Sequence, residues 1–511
     1  MSETAAARPL AADVRGKEIH VTRPSELTAV EARRQIGAKQ LSPLELLESC
    51  IERIETVDPA VNAMITRSYE RARAEAEAAE AAVRRGDELG PLHGLPVAIK
   101  DMQATEGVRT TYGSRFFENN IPTADDDIVA AIRATGGIVL GKTNIPELSI
   151  GANTVNRLFG ATGNPFDVTR TCGGSSGGAA TAVATEMAPL ATGSDHGGSL
   201  RIPACYCGVV GYRPTPGTVP VGKRSITQTF YNVEGPVART VLDAALLLSV
   251  IAQRRNRLDP MAFPLDAAEL GRLQPVDISR LRIAVSADLG GVMVSEATRR
   301  VFEERVARFS SYPLKVEWCD IDLRDAPMVD WHLRSDLFVA KYHRDIDGYD
   351  AGFNPNIRRS YEAALAMPME AIAKARSRQM ELYQRFQALF DAFDLVICPG
   401  TSVSPFPWKD LYPREVDGKE VENYMAWLGL TASITVVGHP VVALPCGKDE
   451  FGLPFGIQII GPAYGDRQLL SAAHALEGLF ATDAKLARPV PDFAALKNTQ
   501  SDCRSEGVKV H

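Results

Sequence analysis

Residues 172–180 read CGGSSGGAA, with Ser175 and Ser176 side by side between two pairs of glycines. Glycines allow a tight turn and a close approach of the backbone to a reacting group. The stretch matches G-x-S-x-G twice, a pattern typical of a nucleophile elbow, in which a reactive serine lies between an apolar strand and a helix. The preceding residues NPFDVTRTC are polar instead. Several histidines follow later in the chain, including His332, His343, His439 and His474. The sequence around them identifies none of them as the catalytic base.

A second pattern, GGIVLGKT at residues 136–143, matches the phosphate-binding motif G-x-x-x-x-G-K-T letter for letter. The residues between the glycines are mostly β-formers and are typical of a strand, whereas a phosphate loop needs a turn whose N–H groups point inward. Asn144-Ile145-Pro146 follows where the phosphate-binding helix would begin. This context disfavours a nucleotide site.

Composition and charge describe an enzyme-sized globular chain. The 511 residues are 45% hydrophobic and carry a formal net charge of −7, with the charges scattered along the chain. This distribution favours a small-molecule partner and indicates neither a nucleic-acid nor a membrane partner. The first twenty residues lack the apolar core of a signal peptide, and no apolar run is long enough for a membrane span, so a cytoplasmic location is expected. Eight cysteines without a C-x-x-C pair favour reduced thiols over disulfides or a zinc site.

Short apolar runs alternate with helical patterns from residue 94 onward, as they do in β-α-β units. We therefore predict an α/β fold with a large mixed β-sheet, largely parallel and twisted, covered by helices on both faces. The later strand candidates are 281–286, 394–400, 440–445 and 455–461, and the helix candidates between them are 295–309, 368–393 and 466–480.

Two helices are predicted before the first of these strands. The segment 42–57 begins with Ser42 as N-cap and Pro43 at the first helical position, and Glu45 completes a capping box. The segment 68–86 is rich in Ala, Glu and Arg, with a thin apolar stripe, which is typical of a solvated surface helix.

Three stretches then combine into one more specific pattern: LPVAIKD at 95–101, CGGSSGGAA at 172–180 and GSDHGGSLRIPA at 193–204. A lysine ends an apolar strand, a serine turn follows 75 residues later, and a G-G-S-L-R turn follows 24 residues after that. The sequence resembles the amidase signature family, whose members hydrolyse amides and related acyl bonds with a Ser-cisSer-Lys triad and without a metal or cofactor. The resemblance runs from LSPLELLESCIERI to PFGIQIIGPAYGDRQLLSAAHALE.

The resemblance also implies an organisation of the chain around one large functional domain of the amidase signature fold. Residues 1–24 are expected to form an N-terminal arm and residues 25–90 a helical segment packed on the core. Residues 91–487 then form the catalytic domain, and residues 488–511 a polar C-terminal tail.

The resemblance assigns Ser199 as the nucleophile, Ser175 as the bridging serine after a cis peptide from Gly174, and Lys100 as the base. A lysine with the ordinary pKa near 10.4 is protonated at pH 7, so this role requires burial that lowers the pKa. A neutral Lys100 can accept a proton from Ser175 while Ser175 accepts one from Ser199, because a hydroxyl is both donor and acceptor.

The turn before the nucleophile matches the oxyanion hole of the family, formed by backbone N–H groups of His196, Gly197, Gly198 and Ser199. The resemblance implies that four further residues hold the surrounding loops in register: Gly174, Ser176, Asp195 and Arg201. Family members often have a small residue in place of His196, whose side chain either contacts substrate or packs away from it. The candidate pocket residues are His196, Gly151, Ala152 and Asn153.

Three functions are compatible with these residues. The first is an amidase acting on a carboxamide, an anilide, a carbamate (urethane) or an aryl ester, with no cofactor and with a homodimer as the default assembly. The second is the amidotransferase A-type subunit of a glutamine-dependent aspartyl- or glutamyl-tRNA amidotransferase, disfavoured because Ile202 stands where that subunit typically has glutamine. The third is a non-catalytic binding protein, disfavoured because all three triad positions are filled.

Overall fold

The structure is a computed structural model that describes residues 23–224, 226, 228–252, 257–347 and 353–504. The α-helices of this part of the chain are α1 Ala29–Gly37, α2 Pro43–Val61, α3 Tyr69–Arg85, α4 Asp127–Ala134, α5 Gly177–Ala184, α6 Arg201–Cys207, α7 Val241–Ile251, α8 Ala267–Leu270, α9 Glu296–Phe309, α10 Ala326–Asp347, α11 Pro355–Leu365, α12 Met369–Gln387, α13 Gly429–Val437, α14 Asp466–Phe480 and α15 Phe493–Asn498.

The strands of the same part are β1 Met64–Arg67, β2 Pro96–Lys100, β3 Ile138–Thr143, β4 Val155–Asn156, β5 Gly160–Ala161, β6 Gly163–Asn164, β7 Asp167–Thr171, β8 Leu190–Asp195, β9 Val210–Arg213, β10 Val233–Ala238, β11 Arg282–Val285, β12 Lys315–Trp318, β13 Leu395–Pro399, β14 Glu415–Val416, β15 Lys419–Glu420, β16 Val441–Lys448 and β17 Pro454–Ile460.

Eleven strands form one sheet in the order β1-β3-β2-β8-β10-β9-β16-β17-β13-β11-β12. The prediction of an α/β fold with a large mixed sheet is confirmed, but its largely parallel character is wrong. Only β3/β2, β2/β8, β13/β11 and β11/β12 pair in parallel, and the central pairs are antiparallel. Strands β16 and β17 are buried along nearly their whole length, so they read as continuous apolar runs and give no sign of direction.

The predicted helices are confirmed with small shifts of their ends. Helix α2 begins with the capping box of Ser42 and Glu45. The Ser42 side chain accepts a hydrogen bond from a backbone N–H of the first turn, and the Glu45 side chain accepts one from the N–H of Ser42. Helix α3 buries a narrow stripe of Ala72, Ala76, Ala79 and Val83 and leaves its charged side chains outside. Buried side chains of these N-terminal helices belong to the same hydrophobic core as those of the sheet, and the division of the chain at residue 90 stays a prediction.

The motif at residues 136–143 is a strand, because residues 138–143 form β3. The buried Lys142 Nζ donates hydrogen bonds to the Gln103 carbonyl and to Thr105 Oγ1. A phosphate-binding lysine would instead lie beside an open turn, so the geometry agrees with the interpretation as a strand.

The C-terminal segment is not a loose polar tail. Leu496 of α15 is buried, and Cys503 packs against Val155, Ala161 and Trp408. The Ala161 N–H also donates to the Cys503 carbonyl at 2.8 Å. A few apolar side chains in a polar stretch are enough to attach it to the core. Residues 505–511, like residues 1–22 of the predicted N-terminal arm, lie outside the described residues.

Candidate active site

The candidate site lies where two parallel strands end beside the starts of two helices. Lys100 is the last residue of β2, and β8 ends at Asp195 in the neighbouring position of the sheet. Helix α5 begins after Ser176, and the turn after β8 leads into α6. The parallel register of β2 and β8 brings these segments together at one edge, although they are far apart in the sequence.

Lys100 lies at the centre of a cluster of serines. Its Nζ lies 2.7 Å from Ser175 Oγ, 2.9 Å from Ser176 Oγ and 2.8 Å from Ser194 Oγ. An ammonium group would donate all three hydrogen bonds, whereas a neutral amine would donate two and accept the third from a hydroxyl. The cluster can therefore hold the lysine in either protonation state.

Burial sets the charge of this lysine. Lys100 is completely buried, and desolvation lowers its pKa to about 7, although Asp195 and Glu234 oppose the shift. In a large fraction of the molecules the Lys100 amine is then neutral near pH 7 and can accept a proton.

Ser175 and Ser199 line the same cavity. Ser175 is almost completely buried, whereas Ser199 is partly exposed. The peptide bond between Gly174 and Ser175 is cis, as the resemblance predicts. The Ser176 N–H donates to the Ser199 carbonyl at 3.2 Å, which ties the serine turn to the turn after β8. Ser176 therefore contacts both the lysine and the second turn.

The carboxylate of Asp195 organises the turn that follows it. It accepts hydrogen bonds from the N–H groups of Gly198 and Leu200, each at 3.0 Å. The expected contribution of Gly198 to an oxyanion hole is therefore not supported, because the carboxylate already takes its N–H group. The sequence could not show this, since the bond depends on the path of the turn.

The neighbouring peptide units are held by hydrogen bonds to their carbonyls. Thr435 donates to the His196 carbonyl, Thr431 Oγ1 donates to the Gly197 carbonyl at 2.6 Å, and the Ile202 N–H donates to the Gly198 carbonyl at 2.8 Å. In a trans peptide the N–H points opposite to the carbonyl, so the N–H groups of Gly197 and Ser199 point away from these donors. Within the described ranges, no group accepts a hydrogen bond from the N–H of His196, Gly197 or Ser199.

Two arginines neutralise Asp195 in the protein interior. Arg201 donates to both carboxylate oxygens, at 2.9 and 3.0 Å, and Arg213 donates at 3.0 Å. Burial alone would raise the pKa of Asp195, but the two guanidinium groups hold the pKa well below its ordinary value. Arg201 also reaches the Thr431 carbonyl and Gln458 Oε1, both at 2.8 Å, so the cluster connects the turn to α13 and β17.

Replacement of Asp195 by asparagine should destabilise the protein strongly. Asp195→Asn leaves two buried guanidinium groups without a counter-charge, which costs about 3–5 kcal/mol in comparable buried pairs. We expect this loss in the free energy of unfolding, measured by urea or thermal denaturation. The control is Asp322→Asn, which removes a partly exposed carboxylate paired with Arg324 and Arg385, and we expect it to lower the free energy of unfolding by less than about 1 kcal/mol. Equal losses in the two variants would contradict the role given to Asp195.

The cavity has a volume of about 110 Å³ and contains three of the four predicted pocket residues, Gly151, Ala152 and His196. Asn153 is not among its lining residues, because its amide donates to the carbonyls of Trp408 and Asp410, both at 2.8 Å. The sequence did not identify the lining residues of α10 and of the segment before α13 as individual contacts; they are Arg334, Leu337, Phe338, Lys341, Tyr342, Tyr424, Met425 and Leu428.

The side chain of His196 packs within this region and also lines the cavity. Its ring stacks on Tyr231 with the ring centres 4.5 Å apart, and Nε2 lies 3.5 Å from Asp330 Oδ1 without forming a hydrogen bond. Burial lowers the pKa of His196, so the ring is mainly neutral at pH 7. The ring thus packs on Tyr231 and also borders the cavity, and contact of His196 with substrate stays a prediction.

The described residues contain no group of three or more His, Cys, Asp or Glu side chains that could hold a metal ion. Among the same residues, no helix has the length and apolar character needed to cross a membrane.

A buried lysine of lowered pKa beside serine hydroxyls is typical of serine hydrolases that use lysine as the base. The family model described as Amidase matches residues 45–470, and the chain belongs to this family. It is therefore a hydrolase of carbon–nitrogen bonds other than peptide bonds.

Comparison with individual proteins supports this family and fold. The chain is 34% identical over 504 residues to the A-type subunit of the glutamyl-tRNA(Gln) amidotransferase of Acidothermus cellulolyticus, covering 92% of this chain and 97% of the relative. It is 31% identical over 463 residues to an acylamidase of Rhodococcus erythropolis, covering 89% and 95%. The solved structure of a bacterial aryl acylamidase of the amidase signature family has a TM-score of 0.81 and 28% identity, covering 88% and 96%.

Proposed function

We propose that this protein is an amidase that hydrolyses a small carboxamide, anilide or carbamate through an acyl-enzyme on Ser199. The observation that carries the proposal is the distance of 2.7 Å between Lys100 Nζ and Ser175 Oγ, in a buried site that lowers the pKa of the lysine to about 7. Ser175 and Ser199 line the same cavity, which supports a relay from the partly exposed serine to the buried base.

In the acylation step, Ser199 Oγ attacks the carbonyl carbon and transfers its proton to Ser175, while Ser175 transfers its own proton to Lys100. The tetrahedral intermediate collapses, its C–N bond breaks, and the leaving amine takes a proton back along the same path. Water then attacks the acyl ester by the same relay, releases the acid and restores the hydroxyl of Ser199. The proton that leaves with the amine is replaced by one from water, so Ser199, Ser175 and Lys100 regain their starting protonation states, and no external oxidant or reductant is needed.

The oxyanion of the intermediate is stabilised in this proposal by the N–H groups of Gly197 and Ser199, with His196 as a third candidate. These are the N–H groups of the turn that find no acceptor among the described residues, whereas Gly198 donates to Asp195. Fixed backbone donors stabilise a developing negative charge without reorganising, at about 3–4 kcal/mol for each donor. Thr431 and Thr435 support this arrangement because they hold the carbonyls of the turn on the opposite side.

A second candidate is the amidotransferase A-type subunit, since several relatives that are 31–34% identical to this chain carry that name. Ile202 argues against it: this apolar side chain lines the cavity at the position where that subunit typically has glutamine. A non-catalytic role is the weaker alternative, because it gives no reason for a buried lysine against three hydroxyls. The proposed substrate is a small molecule, and a homodimer and a cytoplasmic location stay predictions.

Turnover by the purified chain tests the proposal. The chain is offered 4′-nitroacetanilide and ethyl N-(4-nitrophenyl)carbamate without partner proteins or ATP, and release of 4-nitroaniline by cleavage of the C–N bond is followed by absorbance. We expect catalytic turnover that fluorophosphonate treatment removes. Absence of turnover on every amide and carbamate, with glutamine hydrolysis appearing only in the presence of partner subunits, would favour the amidotransferase instead.

The pH dependence of kcat/KM should follow the protonation of Lys100. Only the neutral amine can accept a proton, and its pKa is lowered to about 7, so kcat/KM should rise through about pH 7 and level off above it. A profile that is flat between pH 5.5 and 9, measured on a neutral anilide, would contradict the role of Lys100.

Glu234 provides the control for this profile, because burial raises its pKa to about 7 as well. Its negative charge raises the pKa of Lys100, so Glu234→Gln should move the rising limb of the profile to lower pH and keep it. Disappearance of the limb in this variant would show that the carboxyl group, and not the lysine, titrates.

A further inference from the structure

Arg334 of α10 lines the cavity with most of its hydrogen-bonding capacity unused. The residue is only 7% exposed, and its Nη2 donates to Tyr424 Oη at 2.6 Å. Its Nε and Nη1 are buried and have no hydrogen-bond partner among the described residues. These two nitrogens carry three of the five N–H groups of a guanidinium. Donors left unsatisfied in this way are costly, which suggests that a ligand completes them.

Three aromatic rings hold this guanidinium in place. Its central carbon lies 5.7 Å from the ring centre of Trp331, 5.4 Å from that of Phe338 and 5.3 Å from that of Tyr424. Cation–π contacts of this kind attract the group, and the packing limits its motion. A ligand that binds Arg334 therefore meets a fixed group and orders little of the protein on binding.

The charge of the cavity lining has one sign. Lys341 lies two turns after Arg334 on the same face of α10 and lines the same cavity, with its Nζ 5.0 Å from the ring centre of Tyr342. No Asp or Glu occurs among the cavity-lining residues that the structure describes. Asp330 is the carboxylate that acts on Arg334, but it is buried behind the lining, beside His196.

We propose that the cavity selects amides that carry a carboxylate, with Arg334 as the residue that binds this group and Lys341 as a second cation. The inference rests on the proposed amidase function and names the substrate class of the same site. A carboxylate has the acceptors that the unused N–H groups lack, and its hydrogen bonds to guanidinium are charge-assisted and strong. A neutral amide would leave the same donors unsatisfied.

The cavity leaves room for this group on either side of the scissile bond. A second compartment of about 310 Å³ adjoins the first and shares Met102, Ser194, Asn232, Leu337 and Lys341 with it. A substrate attached at Ser199 can extend into this space, which is also lined by four acidic residues, Asp125, Asp126, Asp127 and Glu234. Because these residues disfavour a second negative charge, the part of the substrate that carries the carboxylate is expected at Arg334 and the uncharged part in this compartment. The carboxylate can thus belong to the acyl part or to the amine part, and the two cases need separate probes.

Two matched pairs of probes test the inference. The first pair is the mono-4-nitroanilide of succinic acid and its methyl ester, which place the carboxylate on the acyl side. The second pair is 4-acetamidobenzoate and its methyl ester, which place it on the amine side. We expect kcat/KM of the wild-type protein to be about 10- to 100-fold higher for the carboxylate than for the ester in at least one pair, as expected for hydrogen bonds to a charged group.

The variants identify the residue responsible. Arg334→Gln should lower kcat/KM for the preferred carboxylate at least about tenfold more than for its ester, mainly through KM, and Arg334→Lys should retain part of the preference. Lys341→Gln should reduce the preference for the carboxylate over its ester by a smaller factor. It provides the test if the Arg334→Gln variant does not fold. The matched control is Lys374→Gln, which replaces an exposed lysine on α12 and should leave kcat/KM for both substrates unchanged.

The possible failures are distinguishable. If no probe is hydrolysed, the proposed amidase function is contradicted and the inference falls with it. If kcat/KM is the same for the ester and the carboxylate in both pairs, the amidase function stands and the inference is overturned. The same holds if Arg334→Gln lowers kcat/KM equally for both members of a pair.

Discussion

Ser199→Ala should reduce kcat on an aryl amide by about 10⁴- to 10⁶-fold, as loss of the nucleophile does in other serine hydrolases. The partly exposed side chain lines the cavity, and its hydroxyl has no hydrogen-bond partner in the described part of the chain. The bond that ties the two turns together uses the Ser199 carbonyl, which the substitution keeps. The variant should therefore lose the attacking atom and little else, and its melting temperature should stay close to that of the wild type.

The comparison for this variant is Ser433→Ala. Ser433 is a buried serine of α13 whose hydroxyl donates to the Gly429 carbonyl at 2.7 Å, away from the cavity lining. It should lose some stability and keep most of its activity. If Ser199→Ala retained more than a few per cent of wild-type kcat, the attacking atom would have to be another group, with Ser175 as the first candidate.

Lys100→Met should reduce kcat by about 10²- to 10⁴-fold, the range for loss of a general base. Methionine is unbranched and apolar, so it can fill the space of the buried lysine stem without a large cavity. The hydroxyls of Ser175, Ser176 and Ser194 lose their common partner, and no other basic side chain among the described residues contacts them. The residual activity should also lose the rise through pH 7.

Lys142→Met is the matched control for this substitution. Lys142 is another completely buried lysine at the end of a neighbouring strand, and burial lowers its pKa to about 8. Its Nζ contacts Gln103 and Thr105 instead of the serine cluster. We expect a lower melting temperature with kcat within a few fold of wild type. Similar losses of kcat in both variants would show that any buried lysine of this sheet affects activity through stability.

The sequence predicted the elements of the fold better than their arrangement. The caps of α2 and the apolar runs of β13, β16 and β17 are local signals, and the structure confirms them. Strand direction depends on contacts between distant segments, and buried strands read alike in both directions. The prediction that most strands of the sheet run parallel was therefore wrong. The attachment of Cys503 to the domain was missed because a single apolar residue gives no periodic pattern.

The candidate site shows the same division. Lys100, Ser175 and Ser199 stand out because each belongs to a short motif, and the structure brings Lys100 and Ser175 into contact. The use of the Gly198 N–H by Asp195 depends on backbone direction, which composition does not reveal. Arg334 and Lys341 lie in a helix whose aromatic stripe reads as ordinary core, so their position at the cavity required the tertiary structure.

Covalent labelling tests the central claim most directly. A fluorophosphonate reacts with an activated serine, and mass spectrometry of a digest identifies the modified residue. We predict a single phosphonate on Ser199, formed faster as the pH rises through 7 and absent in Lys100→Met. Modification of Ser175 or Ser176, or equal labelling of the Lys100→Met protein, would contradict the assignment of Ser199 as the nucleophile and Lys100 as its base.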